Sequence, residues 1–233
     1  MKSTEEIEKF YDSYQFKFRP NVRHYVIINK LVEAGLNSKS RVLEIGCGNG
    51  SLTKLIAPKV KSGKITALDI SSESINTAKR NLSQYKNIDF VIGDVSQVNI
   101  SEQYDLILLS DVLEHIRLEF HDSLFQKISE LLDSNGIVFI NIPEPKFLEW
   151  VTAHEPEKLQ VVDQPIHTEP LLNIAYKHGL YLKELKSYSL FKDVPDSQYI
   201  VLVKRNKTFT YHDLPKWKII ATKYYNYLKN IFN

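Results

Sequence analysis

Between residues 41 and 142, short apolar runs alternate with stretches whose apolar positions recur every three to four residues. The alternation predicts strand-helix-strand units, the pattern of a mostly parallel sheet covered on both faces. Strands are expected at Arg41–Ile45, Lys64–Asp69, Ile88–Ile92, Tyr104–Ser110 and Gly136–Ile142. Between the second and third, Ser71 or Ser72 can cap a helix whose Ile75, Ala78 and Leu82 share one face. Before the fifth, Phe120, Leu124, Ile128, Leu131 and Leu132 repeat that pattern, and Asp133-Ser134-Asn135-Gly136 supplies a turn.

After Ile142 the texture changes, because five of the nine prolines fall between Pro143 and Pro170. Repeated proline blocks long regular elements, so residues 143–168 are expected to form an irregular insertion. A helix at Glu169–His178 and strands at Leu180–Phe191 and Gln198–Lys204 follow, joined by a turn at Val194-Pro195-Asp196-Ser197. The strand pair reads as an antiparallel hairpin closing the sheet. Residues 213–232 read as one amphipathic helix, with Asp213 as its cap, Pro215 in its first turn and Trp217, Ile220, Ala221, Tyr224, Leu228 and Ile231 as its apolar stripe.

The chain has 233 residues, 43% hydrophobic and 25% charged, enough for one globular domain with decoration and no stapling. A formal net charge of +2 gives no overall field toward nucleic acid. The charge is unevenly spread, since residues 204–233 carry +6 and the body before them −4. Cys47 is the single cysteine, so neither a disulfide framework nor a cysteine zinc site is expected within the chain. The start of the chain is acidic, and no uncharged apolar run approaches the roughly 20 residues that span a bilayer. A reducing, cytoplasmic setting is the expectation.

Gly46, Gly48 and Gly50 lie within five residues, directly after the first apolar strand. Such a loop brings bare backbone near a ligand and points N–H groups at it. The dinucleotide fingerprint would need its third glycine at position 51, where this chain has serine. The spacing is instead acid-x-G-x-G-x-G, running from Glu44 to Gly50.

Val42-Leu43-Glu44-Ile45-Gly46-Cys47-Gly48-Asn49-Gly50 resembles the first motif of the class I S-adenosylmethionine (SAM)-dependent methyltransferases. Ala67-Leu68-Asp69-Ile70-Ser71, Gly93-Asp94-Val95 and Tyr104 to Ile116 match the following motifs in order, so the resemblance covers residues 40 to 142. It implies a Rossmann-like seven-stranded sheet with an antiparallel closing strand. It also implies that Glu44, Gly46, Cys47 and Gly48 lie under the cofactor, with Cys47 filling the tight turn and doing no chemistry. Asp69 and Ile70 would meet the ribose, Asp94 and Val95 the adenine, and Ser110 the methionine end. Residues 1–39 would form a helical lid, 40–205 the SAM-binding domain with a substrate-covering insertion at 143–168, and 206–233 a basic helical extension.

Methyl transfer needs alignment and, for a poorly acidic nucleophile, a base. In the family His115 would face the active-site mouth; a structural histidine orienting the helix is the alternative reading. His154 and His167, in the insertion, are further candidates beside the alternative of ordinary surface histidines. Tyr14 and Arg23 are candidate lid residues contacting substrate, and Trp150 could stack on a sugar ring. No metal is expected, because no adjacent Asp-Asn pair of the catechol type is present. The stretch after the fourth strand lacks the Asn/Asp-Pro-Pro-aromatic clamp, which argues against nucleic-acid substrates. A small polar acceptor is expected, foremost the hydroxyl of a sugar or glycan precursor. A quinone precursor, another metabolite, or SAM binding without catalysis are the alternatives. The basic tail would rest on an anionic membrane, suiting a lipid-linked acceptor, or dock on its own domain or a second subunit as a homodimer.

Overall fold

The computed structural model describes Phe10, Asp12, residues 18–204 and residues 212–231. Its sheet contains β1 (Arg41–Ile45), β2 (Lys64–Asp69), β3 (Ile88–Ile92), β4 (Tyr104–Ser110), β5 (Leu132–Pro143), β6 (Leu180–Tyr188) and β7 (Ser197–Lys204). The spatial order is β3-β2-β1-β4-β5-β7-β6. Strands β1 to β5 pair in parallel, while β7 runs antiparallel to both β5 and β6 and is wedged between them. The order reverses between β1 and β4, which opens a crevice at the carboxyl ends of those strands.

The helices are α1 (Val22–Ala34), α2 (Thr53–Ile56), α3 (Ser72–Asn81), α4 (His121–Leu131), α5 (Pro145–His154), α6 (Thr168–Lys177) and α7 (Lys216–Ile231). Period-two alternation sorts the strand side chains to two cores. Leu43, Ile107, Leu109, Val138 and Ile140 pack with Phe125 of α4 and Leu171 of α6. Val42, Leu106, Leu108, Ile137 and Phe139 pack on the other face with Ile27 and Leu31 of α1 and Ile75 of α3. Phe139 is fully buried and stacks on Tyr199 at 5.7 Å, so truncating it to alanine should cost about 3–5 kcal/mol.

Four expectations change. The insertion is irregular only in part: its first half is α5, a regular ten-residue helix, and residues 155–167 hold only the short turn Pro156–Lys158. Pro145 stands in its first turn, where no N–H is needed, and Glu144 caps it by accepting from Phe147 N at 3.0 Å. The Asp133 to Gly136 turn lies inside β5, where β5 advances from Leu132 to Ile137 while β4 advances only from Tyr104 to Leu106. Strand β6 ends at Tyr188 rather than Phe191, because the Asp196 carboxylate accepts the N–H groups of Leu190 and Phe191 at 2.8 and 2.7 Å. In the tail, Pro215 precedes α7 and its carbonyl accepts from Lys218 N at 2.8 Å, so neither Asp213 as cap nor Pro215 in the first turn holds.

Candidate active site

The glycine loop is tied to β2 from both sides. Gly46 N and Cys47 N donate to Leu68 O at 2.8 and 3.0 Å. Asp69, at the end of β2, accepts from Gly48 N at 2.8 Å through one carboxylate oxygen and from Ser71 N at 2.9 Å through the other. Burial raises the Asp69 carboxyl, and those N–H groups oppose the rise. Each oxygen keeps a lone pair for a further donor. Gly46 has φ +74° and Gly48 φ +53°, backbone that other residues rarely adopt. A side chain on Gly46 would collide with Val112, whereas nothing lies within 4 Å of the corresponding point on Gly48.

Beneath the loop, Glu44 is 3% exposed and accepts from the Thr53 hydroxyl at 2.7 Å. Burial pushes its carboxyl up to about 7, and this side chain braces the start of α2. The Cys47 thiol is buried in the core and pushed well above its ordinary value by that burial. Ile70 follows β2, half-buried. Asp94 accepts from Ser96 N at 2.8 Å and its hydroxyl at 2.7 Å, closing the turn after β3, and Val95 packs into the core. From the N-terminal segment, Asp12 accepts from the Ser71 hydroxyl at 2.7 Å, next to Asp69. Tyr14 lies outside the described residues.

A second polar assembly stands at the ends of β4 and β5. Asn21 caps α1 in a reciprocal pair with His24, which sets Arg23 in the first turn. Arg23 Nη1 lies 2.7 Å from Asp111 Oδ1, and its guanidinium sits 5.7 Å from the Phe191 ring centre. Asp111 follows Ser110 with φ +54°, the single non-glycine positive φ among the described residues. Its N–H donates to Asn141 O at 2.8 Å, and Asn141 Nδ2 donates back to its carboxylate at 3.3 Å. The Tyr188 hydroxyl completes the chain by donating to Asn141 Oδ1 at 2.6 Å. Burial and the charge of Asp111 push that phenol up to about 12. Arg23 Nε is buried without a hydrogen-bond partner.

Next to this, the turn Leu113–His115 carries Glu114, 1% exposed, and His115. Burial pushes Glu114 up to about 8, and its Oε2 has no hydrogen-bond partner. His115 Nδ1 lies 2.6 Å from Val162 O and 3.0 Å from Asp163 Oδ1. Burial disfavours its cation, but Asp163 and Glu114 outweigh that and raise it to about 9. The rise favours the imidazolium form, which pins residues 162–164 to the end of β4 and disfavours a role as proton acceptor.

His154 and His167 gather elsewhere, around α5. His154 stacks on Trp150 at 4.8 Å and its Nδ1 lies 2.9 Å from Trp150 O, while His167 Nε2 lies 3.3 Å from Glu149 Oε1. Trp150, Phe147, Lys146, Ser187 and Lys192 line a cavity of about 580 Å³ at the same carboxyl edge of the sheet. Another cavity, about 350 Å³ beside Ser40, Asp105 and Asn135, opens at the opposite end of the strands, away from these groups.

Glycine loop and acids thus line the crevice where the strand order reverses. A family model described as "Methyltransferase domain" matches residues 36–186, well over half of the chain. The chain belongs to the class I SAM-dependent methyltransferases. It is 29% identical over 153 residues to malonyl-[acyl-carrier protein] O-methyltransferase of Priestia megaterium, covering 65% of this chain and 54% of that protein. It spans about half or less of the curated relatives it matches first, 54%, 37% and 40% of their lengths. Among solved structures, the N-methyltransferase NodS of Bradyrhizobium japonicum with S-adenosyl-L-homocysteine (SAH) superposes with a TM-score of 0.63 at 19% identity, over 79% of this chain and 86% of that one. The magnesium protoporphyrin IX methyltransferase ChlM of Synechocystis, also with SAH, gives 0.64 at 18% identity, over 87% and 95%. These two show the shared fold.

The sequence patterns single out neither Asp12, Asn141 nor Tyr188, and reach Asp111 only as part of the stretch Tyr104 to Ile116. Asn141 alone left a local trace, a polar residue inside the apolar run Ile137 to Ile142.

Proposed function

We propose that this chain transfers the methyl group of SAM to a small polar acceptor, foremost a hydroxyl of a sugar or glycan precursor. When bound, SAM supplies an electrophilic methyl group on a sulfonium centre. Asp69 would take the two ribose hydroxyls, with the open side of Gly48 receiving the adjoining part of the cofactor. Asp94 or Val95 would meet the adenine, and Ser110 the methionine end.

The observation that carries the acceptor reading is the Arg23, Asp111, Asn141 and Tyr188 assembly, polar groups held at the carboxyl ends of β4 and β5. Such a set would orient a polyhydroxylated molecule, with Trp150 offering a ring face beside it. Asp111, fixed by Arg23 and Asn141 in a costly backbone conformation, is better placed than the His115 cation to take the acceptor's proton. His154 and His167 would border the acceptor's outer part.

An amine acceptor is the second reading. Curated relatives include (S)-coclaurine N-methyltransferase of Thalictrum flavum and nodulation protein S of Bradyrhizobium diazoefficiens. Incubation with methyl-labelled SAM and a panel of nucleotide-sugars, glycans, amines and quinone precursors tests the proposal. Label on a sugar hydroxyl supports it, label on amines or quinone precursors redirects it, and no transfer despite cofactor binding points to a non-catalytic SAM-binding protein.

A further inference from the structure

All described side chains of helix α7 are exposed. At about 100° per residue, Tyr227, Ile220, Ile231, Tyr224, Trp217 and Leu228 fall in one continuous arc of about 100°. Each of these six is more than half exposed. Lys216 and Lys223 border one margin of the arc, while Lys218 and Lys229 stand about 80–100° beyond the other, past Ala221 and Tyr225. Tyr225 and Ile219 lie off it, and the helix holds no acid.

We propose that α7 lies flat on an anionic lipid surface, its apolar face sunk at the headgroup boundary and its lysines reaching phosphates on both sides. Lysines on both sides of the face suit a plane that passes under it, because long side chains can turn toward charged headgroups. Trp and Tyr within the arc prefer that boundary, where a ring can be apolar on one side and hydrogen-bonded on the other. No helix among the described residues is long and apolar enough to cross a membrane, so the contact is peripheral. Charge decides against a second copy of this chain. Apposing two such faces would bring Lys216 and Lys223 of each copy to one seam with no acid on the helix to pair them, whereas anionic lipid neutralises them. The proposal rests on α7 alone and does not depend on which acceptor is used.

The test is co-sedimentation of the full chain with phosphatidylcholine vesicles, with and without about a third phosphatidylglycerol. Ile220→Glu/Leu228→Glu breaks the face, and Lys216→Glu/Lys223→Glu reverses the margin beside it. All four positions are exposed, so melting of the sheet domain should not move, and that is checked alongside. Binding to anionic vesicles that falls at least tenfold in both variants, in neutral vesicles and at high salt supports the proposal. A blue shift of Trp217 fluorescence in a Trp150→Phe background would accompany it. Equal sedimentation of wild type and variants, absence of binding, or a dimer abolished by Ile220→Glu/Leu228→Glu without vesicle binding would overturn it.

Discussion

Arg23 Nη1 and Asp111 Oδ1 stand 2.7 Å apart, which ties the first turn of α1 to the end of β4. Both side chains are about a quarter exposed, so the pair is neither fully screened nor fully buried. Replacing Arg23 with Met leaves Asp111 uncompensated beside Glu114, and a loss of about 1–3 kcal/mol is expected. In a double-mutant cycle with Asp111→Asn, the second substitution should restore part of that loss. Strict additivity in urea unfolding would show that the pair carries no coupling.

Asp111→Asn also separates binding from chemistry. If Asp111 takes the acceptor's proton, the variant should lose at least a hundredfold in kcat while its SAH affinity stays within about threefold. Unchanged kcat would remove that role. His115→Gln should chiefly lower stability, since the histidine contacts Asp163 and Val162 O and so holds that segment to the end of β4.

Two glycines of the loop should respond differently to alanine. At Gly46 the new carbon would fall 2.3 Å from Val112 Cγ2, so Gly46→Ala should destabilise the fold, and Val112→Ala should recover part of the loss. At Gly48 the fold has room, and the cost should be about 1–2 kcal/mol from the left-handed backbone alone. Gly48→Ala should nevertheless weaken SAH binding at least tenfold, because the carbon would occupy the open side of the loop. Melting curves and calorimetry on the same samples check both.

Stability should fall as the pH rises from about 5 to 9. Glu44 is raised from 4.5 to about 7, Glu114 from 4.5 to about 8 and His115 from 6.5 to about 9. A raised group binds its proton more tightly when folded. Its contribution is therefore full below the unfolded value and lost as pH climbs through the folded one. For Glu44 that is on the order of 3 kcal/mol. The lowered carboxyls Asp105, Asp122, Asp133 and Glu155 have the opposite sign and act only at more acidic pH. His24 and His121, held below 6.5 by burial, also have the opposite sign and oppose the slope below about 6.5. Urea unfolding of the ligand-free protein across this range should therefore slope downward, and Glu44→Gln should flatten its lower part. A curve rising between pH 5 and 9 would contradict these assignments.

The boundaries of β1 to β4 were legible to the residue, because each is an apolar run ended by glycine, aspartate or serine at the carboxyl edge. Helix α5 was not, since Pro143 and Pro145 resemble breakers until one sees that Pro145 sits where a helix lacks N–H partners anyway. The cofactor side of the site follows the chain order and so leaves a spaced motif. The acceptor side does not: Arg23, Asp111, Asn141 and Tyr188 come from four elements that only the sheet brings together. His115 was visible as a residue, but its charge depends on Asp163, which lies 48 positions away in the chain and 3.0 Å away in space.

The most direct test of the central claim is calorimetric titration of SAH into the wild-type chain and into Asp69→Ala. The carboxylate that receives Gly48 N and Ser71 N is also the proposed partner of the ribose hydroxyls. Saturable one-to-one binding weakened at least tenfold in the variant, about 1.4 kcal/mol, is the predicted result. Equal affinity in the two proteins, or no binding by the wild type, would contradict the account.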